Sequence, residues 1–202
     1  MKKNTSKVSS VTGILKRLVK THQNDPALTF GELVSTLGGR AYGIISILFA
    51  LPSALPISAI PGFSFIFGLP IVFIAIHIIL ARPALWLPRS LENRSVSVKK
   101  LARVINTTIP YLLYVERLLK ERWLFFSSSF MERVHGIVLL VLSLLLLLPI
   151  PFSNFIFATL IILFGLGISE KDGVVLALAY LGAFLYALVL TSLARSLLHF
   201  FG

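Results

Sequence analysis

The chain contains no cysteine, which removes disulfides, thiolate nucleophiles and thiolate metal ligands together. Acidic residues are scarce as well. Eight Asp and Glu stand against nineteen Lys and Arg in 202 residues, and 13% of the chain is charged, where an ordinary soluble domain carries about 25%. Few acids leave few candidates for proton transfer, and Ser-centred elbows, Asp-rich sugar-nucleotide motifs and Gly-rich phosphate loops are missing too. We therefore expect neither an enzyme nor a cofactor. Glu132 and His135 have the spacing used in carboxylate-bridged di-metal sites, but that chemistry needs a second such pair, so no metal site is expected. The start, with Lys2, Lys3 and Lys7, resembles a signal-peptide n-region, yet no apolar stretch follows before Ala41; a cleaved signal is not expected.

What is present is apolar surface. Hydrophobic residues make up 56% of the chain and the mean hydropathy is +0.91, more than a soluble domain of this length could bury. The composition predicts an all-α integral membrane protein. Seventeen of the nineteen basic residues fall in two blocks, Met1 to Arg40 and Arg82 to Arg133, on either side of the apolar run Ala41 to Ala81. Positive charge stays on the cytoplasmic side, so both ends of that run belong on one face of the membrane. The expected organisation is a basic interfacial region over residues 1–40 and a membrane domain over 41–202, with a basic amphipathic insert at 82–133. A net charge of +11 could serve nucleic acid, but these charges alternate with Leu, Val and Ile at the edges of apolar segments. Anionic lipid headgroups are the expected partner, at about 1 kcal/mol per basic residue near the surface.

Residues Ser9 to Lys20 read as a basic amphipathic helix. Thr29 to Glu32 has capping-box spacing, with Leu28 and Leu33 placed as a hydrophobic staple, ahead of a short helix ending at Gly38-Gly39. Two Pro-broken helical hairpins follow in the expectation. The first has arms Ile44 to Leu51 and Phe63 to Leu80 around Pro52, Pro56 and Pro61-Gly62, with a kink at Pro70. The second runs from a helix over Ser129 to Leu148, through Pro149-Ile150-Pro151, to Phe155 to Gly167. Between them, surface amphipathic helices interrupted near Pro110 are expected. Val174 to Leu193 reads as a plain C-terminal transmembrane helix.

An internal repeat is suggested by Ile60-Pro61 and Phe65-Ile66-Phe67, which recur ninety positions later as Ile150-Pro151 and Phe155-Ile156-Phe157. Irregular backbone at membrane depth survives only where it meets protein or lines a cavity. The substrate-pathway candidates are accordingly Pro52, Pro56, Pro61, Gly62, His77, Pro149, Pro151 and Asn154. His77 is included as an ionisable residue within an apolar arm, although a neutral histidine bonded to a neighbouring helix would look the same. Arg82, Glu170 and Asp172 form the charge cluster. In the ninety-residue register Arg82 corresponds to Asp172, and pairing of Arg82 with Asp172 or Glu170 is one expectation; independent snorkelling, with the acids capping the next helix, is the other.

The order of these motifs resembles the ExoD family of bacterial membrane proteins, named for exopolysaccharide synthesis. The matching residues are Leu51-Pro52, Leu55-Pro56, Ile60-Pro61-Gly62, Gly68-Leu69-Pro70, Trp86-Leu87-Pro88, Glu116-Arg117 with Arg122-Trp123, Pro149-Ile150-Pro151 with Asn154, and Gly165-Leu166-Gly167 before Glu170-Lys171-Asp172-Gly173. The chain departs from the family where Phe157 stands near an expected Pro and Lys171 near an expected Arg. The resemblance implies a multi-pass bacterial inner-membrane protein linked to exopolysaccharide production, and supplies no catalytic residues. Two functions fit it: movement of a lipid-linked or ionic substrate, or a non-transporting scaffold for polysaccharide-synthesis enzymes. Self-association is left open.

Overall fold

The computed structural model describes residues 11–23, 25–55, 63–82, 85, 89–148 and 153–201. Helix α1 (Val11–Thr21) buries Val11 and Leu18 and exposes Lys16, Arg17 and Lys20, as its periodicity predicts. Strand β1 (Ala27–Thr29) leads into α2 (Phe30–Leu37), which carries the expected capping box. The Glu32 amide donates to the Thr29 hydroxyl at 3.2 Å, and the Thr29 amide donates back to the Glu32 carboxylate at 2.9 Å. Gly38 ends α2 at φ 54°, a conformation that any Cβ disfavours. There follow α3 (Arg40–Ser53), α4 (Phe63–Ile79), α5 (Arg89–Glu92), strand β2 (Ser95–Ser97), α6 (Val98–Leu118), a 3₁₀ turn (Leu124–Ser127), α7 (Ser129–Leu147), α8 (Ser153–Glu170) and α9 (Gly173–Phe201).

Three expectations are corrected. The chain is mostly helical but not purely so, because β1 and β2 pair antiparallel with Leu28 opposite Val96. The alternation Ser95-Val96-Ser97 puts its one apolar residue on the side of buried Leu28, and Leu18 and Val98 complete that small core. Helix α6 runs unbroken through Pro110. Pro110 and Asn106, whose carbonyl loses its usual partner, are both exposed, so that carbonyl can be solvated. Pro52 likewise lies inside the last turn of α3 and not beyond its end, while α4 runs through Pro70 as one helix, as expected of that arm.

Helices α3, α4, α7 and α8 form a four-helix arrangement in which the largest contacts join the hairpins crosswise, α4 to α7 and α3 to α8. Within the first hairpin the Tyr42 hydroxyl, at the start of α3, donates to the Arg82 carbonyl just beyond α4, so the two helices run antiparallel. Between hairpins, Gly43 and Gly165 meet backbone to backbone: a Cβ on Gly43 would lie 2.3 Å from the Gly165 oxygen and 2.8 Å from the Ser169 amide nitrogen. On the other side a Cβ on Gly136 of α7 would lie 3.1 Å from the Ala75 oxygen and 2.9 Å from the Ile79 nitrogen of α4. Small residues that let backbones approach are the usual means of helix association in lipid. Gly68 near the start of α4 meets Leu147 at the end of α7, while Gly136 meets Ile79, so these helices are antiparallel too. The starts of α3 and α7 and the ends of α4 and α8 therefore share one end of the bundle. That end carries Arg40, Arg82 and Lys171.

The partner positions of these crossings are in register, Ala75 and Ile79 standing ninety positions before Gly165 and Ser169, while the crossing glycines Gly43 and Gly136 stand ninety-three apart. Helices α4 and α8 begin ninety positions apart, at Phe63 and Ser153. Their ends close alike: Ala81 (φ 51°) and Lys171 (φ 54°) are both left-handed, the Arg82 amide donates to the His77 carbonyl, and the Asp172 amide donates to the Gly167 carbonyl. Each is the six-to-one bond of a Schellman terminus.

Helices α7, α8 and α9 each contain a stretch long and apolar enough to cross a membrane, and α2 with α3, bent by 115°, would make a fourth if counted as one broken span. Phe157, Phe164, Ile161, Leu139, Leu146 and Leu176 fill the interior. Leu178, Leu181, Leu185 and Leu188 of α9 stay more than half exposed on one helical face, which suits lipid and not water.

Candidate functional site

A cavity of about 400 Å³ opens at the basic end of the bundle, within the roughly 300–1,000 Å³ span of small-molecule sites. Its walls come from the first turns of α3 and α7 and the last turns of α4 and α8. Arg40, Tyr42, Arg82, Glu132, His135 and Lys171 supply its polar groups, and Ile14 of α1 reaches its edge. The cavity lies astride the two hairpins. Tyr42 and His135 each precede a crossing glycine, Ile78 and Ile168 stand ninety positions apart, and so do the left-handed residues Ala81 and Lys171.

His135 is 2% exposed with both ring nitrogens engaged, Nε2 with the Phe126 carbonyl at 2.8 Å and Nδ1 with the Tyr180 hydroxyl at 2.6 Å. The carbonyl can only accept, so Nε2 carries the proton and, in the neutral ring, Nδ1 accepts from Tyr180. Packing against Phe126 and Phe164 holds the ring in place. His135 is thus a fixed wall of the cavity, and no group of three or more metal-binding side chains occurs among the described residues.

The predicted charge cluster is rearranged. Asp172 is fully buried and caps α9 by accepting from the Val174 amide at 3.0 Å. It also accepts from the Lys120 amide at 2.8 Å and from the Arg122 guanidinium at 3.3 Å, pinning the segment after α6 to the start of α9. Gly173 is needed there because a Cβ would meet the Arg122 oxygen at 2.8 Å. Glu170 pairs with Arg40 at 3.5 Å, and Arg40 reaches Glu121 at 3.0 Å and the Ser169 carbonyl. The Val11 amide also turns toward Glu170, and the Thr12 amide donates to Glu116 at 2.7 Å, so carboxylates hold the start of α1 over the bundle. Arg122 and Arg40 therefore take the places expected for Arg82. Arg82 itself is exposed and contributes its backbone carbonyl to Tyr42.

Of the substrate-pathway candidates, Pro52 sits half-buried in the last turn of α3, Asn154 half-buried in the first turn of α8, and His77 half-buried on α4. His77 Nδ1 donates to the Phe73 carbonyl of its own helix at 2.8 Å, with the ring against Phe73. Pro56, Pro61, Gly62, Pro149 and Pro151 lie outside the described residues. Sequence reasoning missed Arg40, Tyr42 and Tyr180. A signal existed for Arg40: it is a lone cation between Gly38-Gly39 and a long apolar run, a position that calls for a buried partner.

The fold and its spans define a helical membrane protein with a polar cavity at its basic end. The sequence matches the family described as "Exopolysaccharide synthesis, ExoD" over residues 11–192, and the chain belongs to that family. It is 31% identical over 157 residues to protein ExoD of Rhizobium meliloti, covering 76% of this chain and 65% of that protein, so the match spans just under two thirds of the relative's length. It is 29% identical over 151 residues to an uncharacterized protein of Synechocystis sp., covering 74% of this chain and 71% of the other. No solved structure matches.

Proposed function

We propose that this chain is a multi-pass protein of the bacterial inner membrane that supports exopolysaccharide synthesis or export by accommodating a lipid-linked or ionic substrate between two repeated hairpins. The observation that carries the reading is the cavity, which lies between the hairpins at the end where the basic residues gather. Support for a repeat comes from the matched partner positions of the glycine crossings and the matched left-handed termini at Ala81 and Lys171. Both hairpins run in the same sense, so the axis relating them runs along the bundle, as in transporters built from parallel repeats. With the basic blocks on the cytoplasmic side, the cavity opens to the cytoplasm and the far ends of the four helices point toward the opposite leaflet. No bond-breaking step is assigned to the chain.

The scaffold reading has its own observation: α6 exposes Lys99, Lys100 and Arg103 together with Tyr114, a basic and aromatic surface suited to headgroups or a protein partner. Reconstitution in liposomes separates the two. Accelerated movement of a labelled anionic lipid or of an ion supports the substrate reading. Inactive vesicles, with stable co-purification of polysaccharide synthases, overturn it in favour of the scaffold.

A further inference from the structure

We infer that the cavity binds a phosphate group, free or on a lipid headgroup, with Arg82 and Lys171 as its charge-bearing ligands; this names the substrate class for the reading above and rests on it. Three cations and one anion line the cavity, namely Arg40, Arg82, Lys171 and Glu132. Arg40 is already held by Glu121 and Glu170. All eight acidic residues of the chain fall among the described residues, and none pairs with Arg82 or Lys171 there; the ion pairs found are Arg40 with Glu121, Arg40 with Glu170, and Arg122 with Asp172. Two cations consequently face the cavity without a counter-charge of their own, against the single carboxylate of Glu132.

Their placement is determined by backbone geometry. The Schellman termini of α4 and α8 end in the left-handed residues Ala81 and Lys171, which bring residue 82 of one hairpin and residue 171 of the other to the same cavity. Lysine in a left-handed conformation is more strained than glycine or asparagine would be, so this terminus is not built for backbone ease alone. The positive dipole ends of α3 and α7 and the negative ends of α4 and α8 meet at the cavity and offset one another, so the attraction for an anion rests on the side-chain cations. A planar guanidinium that can bind two oxygens, opposite a compact ammonium, suits a tetrahedral phosphate. The Tyr42 hydroxyl, which already donates to the Arg82 carbonyl, leaves its oxygen to accept, and Glu132 also accepts. The competing account is that Arg82 and Lys171 only complement helix C-termini and snorkel to headgroups, in which case any exposed cation would contribute equally.

The test uses the full chain in non-ionic detergent, titrated with dihexanoyl phosphatidic acid, inorganic phosphate and, as a phosphate-free control, dihexanoylglycerol, with the thermal-unfolding midpoint as readout. The wild type is expected to show saturable stabilisation by a phosphate probe and none by the control. Arg82→Ala with Lys171→Ala should weaken that binding at least ten-fold, while Lys99→Ala with Arg103→Ala, which removes the same charge from α6, should change it less than two-fold. If the alanine pair is not recovered folded, Arg82→Gln with Lys171→Gln must show the same loss. Displacement of the lipid by inorganic phosphate at similar concentration marks free phosphate as the ligand, and saturation by the lipid alone marks a headgroup; either supports the site. Equal weakening in the α6 control, or no saturable binding of either phosphate probe, overturns it. The failures remain distinguishable: saturable phosphate binding with inactive liposomes refutes substrate movement alone, and full liposome activity in the double variant refutes the phosphate site alone.

Discussion

Replacing Gly43 by alanine adds one methyl group where α3 crosses α8, and the structure says what that methyl meets. Its nearest neighbours would be the Gly165 oxygen at 2.3 Å and the Ser169 nitrogen at 2.8 Å, both backbone atoms that no rotamer change can move. Comfortable non-bonded distances are nearer 3.5 Å, so the helices must separate by about 1 Å. Forced overpacking costs about 1–3 kcal/mol, while alanine for glycine inside a helix returns about 1 kcal/mol. The net expectation is a loss of up to about 2 kcal/mol, which for a chain of this size lowers the unfolding midpoint by up to about 8 °C. Gly39→Ala is the matched control, because its added Cβ meets nothing within 4 Å. Scanning fluorimetry of the purified variants, followed through Trp86 and Trp123, reads both. A Gly43→Ala midpoint equal to or above that of Gly39→Ala would refute the close crossing.

Three other outcomes are expected. Asp172→Ala should cost about 1–2 kcal/mol for the lost α9 cap alone and make the chain around Arg122 cleavable by added trypsin, whereas Asp172→Asn, which can still cap, should lose less in a denaturant titration. Arg40→Ala strands the largely buried Glu170 and should cost about 3–5 kcal/mol, with partial recovery of the melting midpoint when Glu170→Gln is added. Reporter fusions after Arg89 should give a cytoplasmic signal, and a periplasmic one would contradict the hairpin topology.

Local chemistry was legible in the sequence and distant pairing was not. Thr29 and Glu32 announced the start of α2 because both halves of a capping box lie within one turn. Asp172 could be read as a helix cap for the same reason, yet its second role depends on Lys120 and Arg122, about fifty positions away, and no spacing rule reports that. The Arg82 pairing failed because the ninety-residue register relates positions by equivalence, and equivalent positions need not touch. Pro110 misled because proline was weighed as a break, while α6 tolerates it on an exposed face. Gly43 and Gly165 were invisible as a pair, since a single glycine in an apolar helix has no distinguishing mark until the partner backbone is in place. The cavity inherits that difficulty: each lining residue looked ordinary alone, and only the crossing of the hairpins gathers them.

The central claim is that the hairpins clasp each other crosswise, α3 on α8 and α4 on α7, around the basic cavity. The absence of cysteine makes it directly testable, because any introduced pair reports without background. Ile47→Cys with Gly165→Cys, and Gly68→Cys with Leu147→Cys, join positions whose side chains or ideal Cβ atoms meet within 3 Å. Mild oxidation in native membranes, read as a shift in non-reducing electrophoresis after factor-free cleavage between Arg89 and Arg94, should cross-link both pairs. Free, maleimide-reactive thiols at both pairs in membrane-inserted protein would contradict the account.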